Sequence, residues 1–356
     1  MSPIVYIAIT DHGFGHATRM AAVAAEIQRL KPDVTLILAT TAPRWLLESY
    51  ITGDFIHRPR GFDVGVVQSD SVTMDKPATL AKLQQIRDRQ AAVVASEAGF
   101  LKQNRVSLVL ADIPPLAAPI AQRAGVPCWM VSNFGWDFIY RAWGGEFTAI
   151  ADWIADCFGQ CDRLFRLPFH ESMSAFPLME DVGLTGGTPR WSEPELRQRF
   201  DLNPAAEKTV LLTFGGLGLA QIPYDGLQRF EGWQFITFDR TAPDLPNLLK
   251  VIDRGYRPVD MMPLCDCIVG KPGYSTFSEA CLNDVPIISI TRDGFAEAPI
   301  LIEGIKQVSY HHIISPEHLM DGSWSFLEES LMPPATQIVL PKTGNQAIAQ
   351  AVVEAC

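Results

Sequence analysis

The sequence predicts an α/β protein of two domains, each a parallel β-sheet covered by helices on both faces, facing one another across a cleft. Three observations carry this. Short apolar runs alternate with helix-patterned segments along the chain, as in βα units whose strands are buried on both faces. Two of those runs end in glycine-rich turns at corresponding places in the two halves, DHGFGH at 11–16 and GGLG at 215–218. Residues 267–299, CIVGKPGYSTFSEACLNDVPIISITRDGFAEAP, read as strand, glycine turn, helix, strand and acidic loop.

Taken in order, residues 4–10 form an apolar strand, 17–30 a helix and 34–39 the next strand. Trp45, Leu46, Leu47 and Tyr50 make an apolar helical stripe, suited to core packing or to a lipid acceptor at a membrane surface. Segment 55–75 has scattered glycine and charge without a period, which predicts a loop with a short strand near the cleft. A long helical pattern at 77–104 precedes a strand at 107–111, a helix at 114–124, and strands at 126–131 and 162–167. From there to 207 the pattern dissolves into Pro, Gly and charge, as an interdomain connection does. Strands at 210–214, 234–238, 267–269 and 285–290 make the second series, with a helix over 275–282 capped by Ser275 or Thr276. An Ala-rich helix at 343–356 is expected to return to the first domain. The divisions are 1–168 for the first domain, 169–207 for the connection, 208–340 for the second domain and 341–356 for the C-terminal helix.

Composition removes several function classes. The 356 residues carry a net charge of −11, from 40 acidic against 29 basic residues, with no Lys/Arg cluster. Nucleic-acid binding needs a basic footprint and is not expected. No apolar run approaches the roughly 20 residues that span a bilayer, and the first residues enter a strand without a basic leader. A cytoplasmic protein is expected, with peripheral membrane contact left open. Seven cysteines fit reduced thiols. Cys157 and Cys161, and Cys265 and Cys267, lack the CxxC form of common zinc sites, so no metal is expected.

In DHGFGHATR the glycines Gly13 and Gly15 turn the backbone sharply after a strand and leave His16 at the mouth of a helix. The positive end of the helix dipole there favours the neutral ring, the form that accepts a proton from a hydroxyl. Asp112 ends the strand in LVLADIPP and would orient His16 if the sheet sets the two strand ends side by side. The plainer alternative makes His16 a helix cap and Asp112 a turn residue before Pro114. His12, His170, His311 and His312 have no such context and read as surface or structural.

On the second domain, Gly215 and Gly216 offer N–H donors to a diphosphate. Lys271, Gly273 and the helix start at Ser275 and Thr276 form an anion site. Glu279, one turn further, suits a ribose diol, and Asp293 and Glu297 suit sugar hydroxyls. Asn133, Trp136 and Asp137 in SNFGWDFIY read as a loop equipped to bind a polar acceptor, or equally as interdomain core. An NAD-type dehydrogenase is the outlying alternative, with Asp239 after LLTFGGLG as the ribose acid, though the glycine spacing is imperfect.

Together DHGFGHATR, SNFGWDFIY, LLTFGG and GKPGYSTFSEA resemble the nucleotide-sugar-binding portion fused to plant arabinokinases and its stand-alone bacterial relatives. More distantly, the chain resembles the family 28 glycosyltransferases, including the peptidoglycan N-acetylglucosaminyltransferase. The resemblance implies a GT-B fold of two Rossmann-like domains, with acceptor and donor in the cleft between them. It implies transfer of a sugar from a nucleotide diphosphate sugar, a UDP-sugar, to a hydroxyl acceptor, with no cofactor. His16 matches the base, Asp112 is similar in position to the aspartate that orients it, and Glu279 matches the ribose-binding carboxylate. Lys271 stands where the peptidoglycan enzyme has an arginine, and Asp293 and Glu297 replace its sugar-contacting glutamines, which points away from N-acetylglucosamine. A non-catalytic nucleotide-sugar sensor or partner subunit, and a nucleotide-sugar 2-epimerase on the same fold, remain the alternatives.

Overall fold

The computed structural model describes residues 2–69, 73–202, 206–216, 218–219 and 221–356; Leu217 of the GGLG turn lies outside them. The first sheet comprises β1 (Ile4–Ile9), β2 (Thr35–Ala39), β3 (Ile56–Arg58), β4 (Leu108–Asp112), β5 (Cys128–Ser132), β6 (Arg163–Arg166) and β7 (Met179–Asp181). Its order is β3-β2-β1-β4-β5-β6-β7, parallel throughout. Its helices are α1 (Gly15–Leu30), α2 (Arg44–Glu48), α3 (Lys76–Gln103), α4 (Ala117–Ala124), α5 (Trp136–Trp143) and α6 (Phe147–Phe158). After α7 (Glu193–Phe200), the second sheet comprises β8 (Lys208–Thr213), β9 (Trp233–Thr237), β10 (Leu248–Lys250), β11 (Cys267–Gly270), β12 (Ile287–Ile290) and β13 (His311–Ile314). It runs β10-β9-β8-β11-β12-β13, again all parallel. With it go α8 (Pro258–Met261), α9 (Tyr274–Leu282), α10 (Glu297–Val308), α11 (Pro316–Met320) and α12 (Gly344–Ala355).

Both sheets repeat one layout. The chain leaves the central strand toward one edge, then crosses back to the other side, so that β1 lies beside β4 and β8 beside β11. That reversal of strand order, at the strands' C-terminal ends, is where open α/β sheets place their ligands. Every residue of β4, β11 and β12 is buried, which is why these strands read as unbroken apolar runs.

Three expectations are corrected. Segment 169–207 is more than a connection, because β7 extends the first sheet; its three residues are exposed at a sheet edge and carry no apolar pattern. The stretch read as a loop at 132–140 turns into helix α5 after Gly135, and α6 follows. Glycine and aromatics suggested a turn, whereas WDFIYRAW presents one apolar face to the core. The N-cap of α9 is Gly273, in extended backbone, rather than Ser275 or Thr276.

Helix α12 packs along α1 of the first domain, with Ile348, Ala349 and Val352 buried in the shared core. Replacing Ile348 by Ala should cost about 2–5 kcal/mol, read as a lower midpoint of chemical unfolding. An unchanged midpoint would mean that α12 contributes no packing energy.

Candidate active site between the domains

Helix α1 begins where Gly13, at φ +58°, redirects the chain after β1. His16, 7% exposed, then faces Asp112 at the end of β4, which has no exposure. The Nδ1 to Oδ1 separation is 2.8 Å. A carboxylate only accepts, and the two hydrogens of the neighbouring Arg19 Nη2 go to Asp112 and Ser132, so the contact is a hydrogen bond when Nδ1 carries the proton, the tautomer that leaves Nε2 as the free acceptor. Arg19, one turn along α1, reaches the same carboxylate twice, at 2.6 Å from Nε to Oδ2 and 2.6 Å from Nη2 to Oδ1. Burial raises the Asp112 carboxyl, but Arg19 and His16 outweigh it and hold the group below the usual range.

The second domain brings α9 against this pair. Ser275 donates to the carbonyl of Gly15 at 2.7 Å, so its hydroxyl joins the domains rather than capping the helix; Thr276 is half-buried beside it. The side chain of Lys271 folds back over Gly273 at the start of α9. Burial first, then Arg292, pushes its ammonium down to about 8, with Glu297 opposing. His12 is stacked at 5.8 Å on Phe295 of the second domain, and burial among His16, Arg292 and Lys271 keeps its ring neutral. The charge this cluster is built to meet is therefore negative. Gly215 and Gly216 follow β8, and a Cβ on Gly216 would collide with the ring of Phe14.

The other expected residues divide. Glu297, the first residue of α10, is buried and accepts from Asn133 Nδ2 at 2.7 Å across the domain contact, whereas Asp293, in the loop before that helix, is exposed. Trp136 has no exposed surface; its indole N–H donates to Thr10 and its ring packs on His12, Phe134 and Tyr140. It is core behind the histidines rather than a platform for a sugar. Asp137 turns toward the start of α5 near Glu171, where burial and that neighbour push it up to about 6.

Several participants escaped the sequence reading. Arg19 shares the helix face of His16 at i+3, the one available signal. Arg292, Phe295 and a half-buried His12 come together only through the approach of the domains. Asp63, accepting from Thr10 and from the backbone N–H of Asp11, is pushed by burial up to about 7 behind the site. All seven cysteines are free. Among the described residues no group of three His, Cys, Asp or Glu is placed to hold a metal ion, and no helix is long and apolar enough to cross a membrane.

Glu279 lies on α9 under the interdomain segment, accepting from the N–H of Gly187 at 2.9 Å and the hydroxyl of Tyr50 at 3.2 Å. Burial pushes its carboxyl up from 4.5 to about 7. Between those values the folded chain keeps a proton that the unfolded chain releases, so this group's contribution to stability falls as pH rises through the window and levels off above it. Glu279→Gln keeps an acceptor and removes the charge. Its melting temperature relative to the native protein should therefore climb from pH 4.5 to 7. Parallel melting curves would contradict the burial of this charge.

No family model matches the chain. It is 30% identical to L-arabinokinase of Arabidopsis thaliana over 91% of its own length, and it spans 32%, about a third, of that longer protein. Phytolacca americana UGT2, solved with UDP-2-fluoro-glucose and pterostilbene, superposes with a TM-score of 0.61 at 14% identity, covering 99% of this chain and 93% of that one. The calicheamicin glycosyltransferase CalG4 gives 0.60 at 15% identity, covering 99% and 95%. Two parallel-sheet Rossmann-like domains with their strand ends opposed, matched over their whole length by these structures, give the chain the GT-B fold.

Proposed function

We propose that this chain is a glycosyltransferase that moves a sugar from a nucleoside diphosphate donor, a UDP-sugar, to a hydroxyl acceptor, with inversion and without a metal. The observation that carries the reading is the His16–Asp112 pair at one sheet's switch point, set opposite Lys271, Arg292 and the start of α9 at the other's. The nucleotide sugar in the UGT2 structure supports the donor class. In the reaction, His16 Nε2 takes the proton of the acceptor hydroxyl as its oxygen bonds to the anomeric carbon. The bond from that carbon to the diphosphate breaks on the opposite face, and the departing charge is met by Lys271, Arg292 and the amides of α9 and Gly215–Gly216. These groups supply the positive charge, so no metal step is required. Glu297 would hold a sugar hydroxyl and Glu279 the ribose. Donor entry requires the domains to part, because Tyr50 and Gly187 engage Glu279 and Phe14 covers Gly216.

The length and name of the Arabidopsis relative favour one second reading, a nucleotide-sugar-binding partner of a sugar kinase. The two readings separate in one experiment. His16→Ala should keep UDP-sugar affinity by calorimetry and lose about 10²–10⁴-fold in transfer, with the native product showing the inverted anomer by proton NMR. Undiminished transfer in His16→Ala would sink the base assignment. Donor binding without transfer to any hydroxyl acceptor would support the second reading.

The lowered Lys271 adds a pH dependence. As pH rises through about 8 its ammonium is lost from the free protein, so UDP affinity should weaken across that pH in the native chain and stay level in Lys271→Arg. Equal slopes would show that Lys271 does not meet the diphosphate.

A further inference from the structure

The proposed reaction uses His16 and Asp112 but leaves unexplained the side chain that touches both. Arg19 is 2% exposed and lies beneath the pair, out of reach of any ligand. Besides its two bonds to Asp112, Nη1 donates to Asn133 Oδ1 at 3.0 Å and Nη2 to Ser132 Oγ at 3.2 Å. Nη2 also lies 3.0 Å from His16 Nδ1. Two of its contacts lead out of the first domain. Its guanidinium sits 5.2 Å from the ring centroid of Tyr274 on α9, and Asn133 passes the connection to Glu297 at the start of α10.

We propose that Arg19 is the positioning residue of the His16–Asp112 pair, and that through Tyr274 and the Asn133–Glu297 bond it ties the geometry of the pair to the approach of the second domain. A two-pronged guanidinium–carboxylate bond is planar and fixes the carboxylate's orientation as a single donor does not. With Oδ2 and Oδ1 both engaged, Oδ1 is aimed at Nδ1 of His16 and the ring is held in the tautomer that leaves Nε2 free. Arg19 also changes the charge arithmetic. In an isolated His–Asp pair the carboxylate offsets the imidazolium; here Arg19 already offsets Asp112, and a proton on His16 makes the trio net positive. The charges facing His16 are Arg19 on its own helix, Asp112 at the end of β4 with Asp63 behind it, His12 in the preceding turn, and Lys271, Arg292 and Glu297 from the second domain. An anionic diphosphate beside the pair would balance the cations Arg19, Lys271 and Arg292.

The effect on rate rests on the proposed transfer reaction; the geometry can be tested without it. Nitrogen-15 NMR of the His16 ring reads the tautomer in the native chain, in Arg19→Lys, which keeps the charge with one prong, and in Arg19→Met, which removes it. Tyr274→Leu tests the link to α9. The native ring should be Nδ1–H, and both Arg19→Lys and Arg19→Met should mix the tautomers. Tyr274→Leu should mix the tautomers in the same direction as Arg19→Lys. Transfer in Arg19→Lys should fall about 10²-fold, the cost of misplacing a reacting group, with donor affinity held. Added guanidinium should restore part of the rate to Arg19→Ala. A folded Arg19→Lys with native tautomer and native turnover would overturn the positioning role, and an unchanged ring in Tyr274→Leu would overturn the coupling. If His16→Ala transfers normally while the tautomer shifts appear, the base assignment fails and the tie between Arg19 and the geometry of the ring stands.

Discussion

A carboxylate with no exposed surface shapes the first domain's half of the cleft. An isolated charge in a protein interior costs several kcal/mol, and removing one partner of a buried pair typically costs about 3–5 kcal/mol. Asp112 is therefore a demand on its surroundings. It is met by a two-pronged Arg19 and by His16, both on α1. That pairing exists only because β4 lies beside β1, with Ile9 opposite Asp112 and the N–H of Thr10 donating to the Asp112 carbonyl. The next residues, turning at Gly13, launch α1 directly over the carboxylate. Strand order, the turn and the side-chain network form one arrangement; a different crossover would leave the charge stranded.

The second domain answers with the opposite imbalance. The whole chain is acidic, with a net charge of −11, yet around α9 the cations Lys271 and Arg292 and the helix's own amides gather beside the carboxylate of Glu297. The depression of Lys271 to about 8 is the energetic mark of that crowding, because a buried ammonium beside another cation is held at a cost. An anion seated between them relieves it. Local field and global charge thus carry different information, and only the local one bears on a ligand between the domains.

Much of this was legible in the sequence for a physical reason. Parallel strands buried on both faces must be apolar, and the turns after them carry glycine, so strand ends and the residues just beyond them, His16, Asp112, Gly215 and Lys271, stood out. What escaped was whatever depends on one element meeting another. An arginine three residues after a histidine on a helix faces solvent by default, and only the position of Asp112 makes Arg19 a buried residue. The exposed three-residue edge β7 has no apolar period to read. Trp45 and Tyr50 suggested core or a lipid contact; they lie at the domain junction, with Trp45 under Arg254 and Tyr50 beneath Arg257 and against Glu279. Asp293 and Glu297 looked equivalent in sequence, but the turn at Gly294, φ +74°, leaves one in water and the other facing Asn133.

The contact between the domains also bears on water. Phe295 comes from the second domain yet is buried in the first domain's core, stacked on His12 and edge-on to Phe134 at 6.0 Å. Phe134 and Trp136 close the other sides of His16. In the proposed transfer, water would compete with the acceptor for the glycosyl group, and a base open to solvent would activate the wrong hydroxyl. On that reading, enclosing His16 in aromatic rings would keep that competitor away, and it would also strengthen the field of Lys271 and Arg292 by excluding the solvent that screens them. The same rings block entry while the domains are together. On that reading, admission of substrates and exclusion of water would be two positions of one interface, with Arg19, bonded on one side to the His16–Asp112 pair and packed on the other against Tyr274 of α9, where those positions differ.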